Sequence, residues 1–226
     1  MTPGLSRLSE SWRSLRISPR AEHRYSSRRE ISPPGRHRWQ DLTLTLWHYA
    51  EAVPNAAIAP AEVAAAIKIV HDALSDFDGT LPCFTLELDD ARDLLQPGRS
   101  PTLAPADRWF LLSVVSEIRT ALTARGTVCR PLHGSPHQAN WLQVADGLLL
   151  LDFETACYGP VEWDLAALDD DALSFFPNAD GELILIMRRM RSVCVAAKCW
   201  VAPERAPELR EAAHFHLKLL RHQQLD

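Results

Sequence analysis

From Ala139 to Glu154 the chain reads ANWLQVADGLLLLDFE, and the reading of this stretch decides the fold. Trp141 to Val144 and Leu148 to Asp152 are short, mainly apolar runs. Asp146-Gly147 between them is a dipeptide of the two-residue type I′ turn. The stretch is therefore read as a β-hairpin. With the turn at 146–147, Trp141 faces Asp152 and Asn140 faces Phe153. Asn140 and Asp152 are then diagonal neighbours at the open end of the ladder, within roughly 8 Å. An Asn carbonyl and an Asp carboxylate so placed suit a hard divalent cation such as Mg²⁺, which takes oxygen ligands and needs few from the protein. The same spacing also suits a turn capped by Asp152 and loop backbone satisfied by Asn140.

Upstream, Leu42-Thr43-Leu44-Thr45-Leu46-Trp47 alternates apolar and polar residues, a strand pattern. Pro60 opens a helix with Val63, Ile67, Val70 and Leu74 on one face. Thr80 to Arg99 reads as a loop and a short helix. Pro105 to Arg125 is amphipathic through Phe110, Val114, Ile118 and Leu122, with Gly126 as its C-cap. After Pro160 the pattern predicts helices over about 162–175, 181–200 and 204–223, broken by Pro177, Pro203 and Pro207. The fold class is α+β, mostly helical with a small β element.

Composition sorts the chain into two parts. Residues 1–40 hold nine Arg and three Glu, while the whole chain of 226 residues carries −5, so the rest carries −11. That leader is rich in Ser and Arg and poor in apolar residues, which predicts a disordered or loosely attached segment. Glu10, Glu22 and Glu30 argue against a transit peptide. Basic charge confined to such a leader does not make a nucleic-acid-binding fold. No run approaches the 18 or so apolar residues of a membrane span, so no membrane partner is expected. The five Cys, at 83, 129, 157, 194 and 199, form no CxxC and follow no secretory signal, which points to the cytoplasm rather than a disulfide framework.

Three further segments carry a resemblance. Leu132-His133-Gly134-Ser135-Pro136-His137-Gln138-Ala139-Asn140 resembles the catalytic loop H-G-D-x-x-x-x-N of the aminoglycoside phosphotransferase and choline kinase-like family. Leu151-Asp152-Phe153-Glu154 is similar to that family's metal-binding segment, and Gly159-Pro160-Val161-Glu162-Trp163-Asp164-Leu165-Ala166 to its G-P-x-x-x-D-L-A segment. Trp47-His48-Tyr49 resembles the linker into the helical lobe. The resemblance covers about 42–225 and implies a protein kinase-like fold: residues 41–226 as a helical C-lobe, 1–40 as leader, and the N-lobe largely missing. It implies ATP-dependent phosphoryl transfer to the hydroxyl of a small molecule, which in this family can carry cationic groups. Asn140 and Asp152 would be the Mg²⁺ ligands, His133 would orient the loop, and Asp164 would be a structural acceptor.

Two departures bear on activity. Ser135 stands where the family has its catalytic Asp, and a hydroxyl is no base near neutral pH. His137, two residues on, is the alternative base. No G-x-G-x-x-G or G-x-x-x-x-G-K-[ST] occurs, and no Lys precedes Lys68, which falls within the Pro60 helix. These departures predict a truncated, impaired kinase. The competing expectation is an inactive kinase-like remnant that binds a metabolite or a protein. Arg188, Arg189 and Arg191 read as a solvated basic face, and Asp169-Asp170-Asp171 as a helix end or loop.

Overall fold

Proline at the first helical position has a preset φ and lacks an N–H that would have no partner there. Pro60, Pro105 and Pro207 each open a helix in this way: α1 (Pro60–Ser75), α3 (Pro105–Arg125) and α7 (Pro207–His222). The structure, a computed structural model, describes residues 35–54 and 57–223. The Arg- and Ser-rich leader up to residue 34 lies outside the described residues. The remaining elements are β1 (Gly35–Trp39), β2 (Leu42–Leu46), α2 (Leu86–Leu94), β3 (Arg130–Leu132), β4 (Trp141–Val144), β5 (Gly147–Leu150), β6 (Cys157–Gly159), α4 (Val161–Leu165), α5 (Asp170–Leu173) and α6 (Gly181–Cys199). The strands form three separate antiparallel pairs, β1-β2, β3-β6 and β4-β5.

The helices bury two clusters. In the larger, α2, α3, α6 and α7 meet through Leu88, Leu111, Ile118, Met187, Met190 and Leu220, all at most 2% exposed. Each such side chain contributes about 1.5–3 kcal/mol relative to exposure. The smaller cluster sets Ile67, Val70 and Leu74 of α1 against Trp141, Leu148 and Leu150 of the β4-β5 hairpin. Helix α1 therefore backs the hairpin on which Asn140 and Asp152 sit. A second tie comes from the chain after β2, where the Val53 N–H donates to the Gln143 carbonyl at 2.9 Å.

Several expectations are corrected. The β4-β5 register is Trp141↔Leu150 through Val144↔Gly147, so the turn is Ala145-Asp146 and Asn140 lies opposite Leu151. A type I′ turn needs positive φ at both central residues. Here neither Ala145 nor Asp146 has it, and Gly147 takes φ +135 as the first residue of β5. Residues 35–39, grouped with the leader on composition, are a strand. Its Arg and His residues hide the pattern, and it forms by pairing with β2. The helix expected over 162–175 is two short ones, because Asp169 caps a new start by accepting from the Ala172 N–H at 2.7 Å. Helix α6 starts similarly, Asp180 accepting from the Leu183 N–H at 3.0 Å. No helix among the described residues is long and apolar enough to cross a membrane.

Candidate active site

The loop from His133 to Asn140 joins β3 to β4, and its shape is fixed from several sides. Asp164, fully buried at the start of the last helical region, accepts from the N–H groups of His133 (3.1 Å) and Gly134 (2.8 Å). His71 Nε2 donates to the same carboxylate at 3.0 Å. Trp141 Nε1 donates to the Pro136 carbonyl at 3.1 Å and ties the loop to β4. Arg191 Nη2 donates to the Gly134 carbonyl at 3.0 Å.

Gly134 is required sterically. Its φ is +89, and a Cβ there would stand 1.9 Å from the Thr155 carbonyl oxygen. Gly134→Ala is expected to cost about 2 kcal/mol or more, since backbone must move to relieve the clash. A urea denaturation midpoint checks this, and an unchanged midpoint would show that the loop yields freely.

His133 is buried, with its ring 4.4 Å from that of Phe153. Its Nε2 lies 2.8 Å from the Leu151 carbonyl, and the Ser135 N–H points at Nδ1 at 3.1 Å. A carbonyl accepts only and an amide N–H donates only, so the ring is the neutral Nε2–H tautomer. Burial pulls its pKa below the ordinary 6.5, against the raising effect of the Leu151 carbonyl. The unfolded chain takes up a proton near pH 6.5 while the folded chain still resists it. Stability should therefore fall as pH drops below about 6.5, and the loss should be absent above it. Urea unfolding at several pH values checks the slope, which should shrink in His133→Gln.

The backbones of Asn140 and Asp152 lie close at the end of the ladder. The Leu151 N–H donates to the Asn140 carbonyl at 2.8 Å, extending the ladder by one step, and Asp152 follows. Asn140 Nδ2 donates to the Ser135 carbonyl at 2.8 Å, which leaves Oδ1 as its free hard donor. Asp152 is exposed and left-handed, with φ 63 and ψ 65, and its side chain makes no cap hydrogen bond. Asp tolerates this region better than most residues, yet it costs of order 1 kcal/mol, and such positions cluster at functional sites. The turn-cap role for Asp152 is thus not taken up.

Ser135 lines a cavity of about 280 Å³ together with Asp90, Glu154, Trp163 and Arg191. His137 is exposed, begins the 3₁₀ turn Gln138–Asn140, and is not part of that lining. A shallower depression along α3 around Trp109 carries one acid, Glu117, already paired with Arg189 at 3.2 Å. It lacks the convergent polar groups of a reaction site.

Two site residues escape a reading of motifs, His71 and Arg191. His71 sits on the buried stripe of α1 with Ile67 and Leu74, and Arg191 on that of α6 with Met187 and Cys194. A polar residue on a core stripe is the signal that could have found them. Arg191 is thus not on a solvated face, whereas Arg188 pairs with Asp170 at 2.8 Å and Arg189 with Glu117.

No protein-family model matches the chain, and no curated protein matches it in sequence. Solved structures do match its fold. A choline/ethanolamine kinase family protein from Mesorhizobium loti aligns over 72% of this chain and 62% of its own, at 16% identity and TM-score 0.57. A choline kinase from Cryptosporidium parvum aligns over 73% and 64%, at 10% identity and TM-score 0.59. The GDP and kanamycin complex of APH(2″)-IIia aligns over 75% and 64%, at 14% identity and TM-score 0.50. The chain therefore has the protein kinase-like fold of small-molecule kinases, as a helical lobe with small hairpins. It spans 62–64% of the length of these structures.

Proposed function

We propose that the chain is a small-molecule kinase of the aminoglycoside phosphotransferase and choline kinase type, acting with Mg²⁺ and ATP on a hydroxyl, and that it is impaired as it stands. What supports this reading is that Asn140 is bonded through its carbonyl to Leu151, the residue before Asp152, at the end of the β4-β5 ladder, beside the loop that presents Ser135 to the cavity. Two hard oxygen donors fit Mg²⁺, which keeps several waters and shares nucleotide phosphates. Among the described residues no group of three or more His, Cys, Asp or Glu offers a different metal site. When bound, the metal neutralises charge on the phosphates. The protein's own part is to hold Asn140 through Ser135 and to fix the loop through Asp164. The GDP in one matching structure is in line with a nucleotide partner. Exposed Asp90 and Glu154 give the cavity two carboxylates for a cationic group on the substrate. Five free thiols suit the reducing cytoplasm.

The impairment rests on Ser135, whose hydroxyl replaces a carboxylate, and on His137 standing outside the cavity lining. The same two facts favour the second reading, an inactive kinase-like remnant that binds a metabolite or a protein. Mg²⁺·ATP at about 100 times its Kd should stabilise the fold by about 2.7 kcal/mol, seen as a raised melting temperature. Asp152→Asn keeps the shape and removes the charge, and should abolish that rise. No rise with the unaltered chain, or an equal rise in the variant, would sink the Mg²⁺·ATP reading.

A further inference from the structure

We infer that the cavity beside Ser135 takes a small hydroxy-amino acid, with its carboxylate on Arg191 and its ammonium between Asp90 and Glu154. The inference rests on the hydroxyl-acceptor reading of that cavity and adds an anionic group to its substrate. The guanidinium of Arg191 lies 4.2 Å over the Trp163 ring. Its Nε donates to the Trp163 carbonyl at 3.2 Å, and Nη2 to the Trp163 and Gly134 carbonyls at 2.5 and 3.0 Å. Those contacts satisfy hydrogen bonds but supply no negative charge. Arg191 makes no salt bridge among the described residues, and its Nη1 donates to none of them.

The nearby groups act on Arg191 only without direct ion-pair contact. Asp164 is the acid that acts most on Arg191, but it forms no ion pair with it, and its oxygens accept from His71, His133 and Gly134 instead. Burial pushes the Cys194 thiol up to about 12 and the Cys157 thiol higher, so both remain neutral. A half-buried guanidinium with no carboxylate in contact is only partly offset, and an anionic ligand in the cavity completes the pairing. Lys198 does not compete for that ligand, because Glu87 holds it at 2.7 Å. The guanidinium also covers one face of Trp163, which removes that face as a platform for an alkylammonium group. The two carboxylates of Asp90 and Glu154 are exposed, line the same cavity, and form no ion pair among the described residues. A volume of about 280 Å³ suits a molecule of amino-acid size rather than an oligosaccharide.

Titration calorimetry on the full chain tests this without ATP. L-serine, L-homoserine and L-threonine are compared with ethanolamine, 3-aminopropan-1-ol and 1-aminopropan-2-ol, which differ from them by loss of the carboxylate. At least one hydroxy-amino acid should bind tenfold or more tighter than its amino alcohol. Equal binding, tighter binding of the amino alcohols, or no binding by all three amino acids would overturn the inference. In Arg191→Gln the preference for the amino acid over its amino alcohol should vanish, whatever the absolute affinities, and a preference that survives there would also overturn it. If Arg191→Gln does not fold, the ligand series on the unaltered chain decides alone. Amino alcohols binding better would remove the carboxylate and leave the kinase reading intact. Amino acids binding without any effect of Mg²⁺·ATP would do the reverse.

Discussion

Asp164→Ala is expected to lower the unfolding free energy by about 3–5 kcal/mol, the usual cost of breaking a buried charged network by removing one partner. The carboxylate is fully buried and accepts from two backbone N–H groups and one imidazole. Each donor left without a partner in the interior costs about 1–3 kcal/mol, because water does not replace what is lost. Alanine also opens a small gap beside His71, itself on the core side of α1. For a domain of this size each kcal/mol moves the melting temperature by about 2–4 °C, so a drop of roughly 6–20 °C should follow. The site should suffer as well, since the freed N–H groups belong to His133 and Gly134, which start the loop carrying Ser135. Asp164→Asn keeps the volume and one acceptor oxygen, and its loss should be smaller. A melting temperature within about 2 °C of the unaltered chain in Asp164→Ala would show that the loop is held mainly by Trp141 and Arg191.

The helices were legible because periodicity and proline state their own positions. Pro105 and Arg125 bound α3 as the apolar spacing predicts, and Pro60 starts α1. The hairpin was legible as an element but its register was two residues off. Asp146-Gly147 looks like a turn centre, whereas Gly147 is used for its positive φ as the first residue of β5. The backbones of Asn140 and Asp152 stayed close despite the slip, because Asn140 lies opposite residue 151 instead of 153, and either one adjoins Asp152. Strands β3 and β6 were illegible: three residues each is too short for alternation, and they exist by pairing across 25 residues of chain. Asp164 could be placed through its motif, but its partner His71 lies 93 positions away, and no local pattern couples the two. Arg191 is hidden in the sequence because three nearby arginines look like a surface patch. Only the helix phase, with Met187 and Cys194 on the same stripe, separates it from Arg188 and Arg189.

Ser135→Asp is expected to raise phosphoryl transfer by about 10²–10⁴-fold, the usual worth of a positioned general base. That equals about 2.7–5.4 kcal/mol off the barrier. The local structure is suited to the exchange. The backbone of residue 135 is pinned by its N–H to His133 Nδ1 and by its carbonyl from Asn140 Nδ2, so neither tie uses the side chain. The side chain is half-buried and lines the cavity, where a carboxylate would meet a substrate hydroxyl rather than the core. Asp fills little more space than Ser and has unperturbed pKa near 3.9, so it is ionised at neutral pH and able to accept a proton. Ser135→Asn has nearly the same shape without that basicity and separates chemistry from packing. Release of ADP from Mg²⁺·ATP, measured with the hydroxy-amino acids and the amino alcohols as acceptors, should rise in Ser135→Asp and stay at the starting level in Ser135→Asn. A rise in both would assign the effect to packing. A rise in neither would mean that the missing carboxylate does not limit transfer, and the reading of the chain as a binding module would gain.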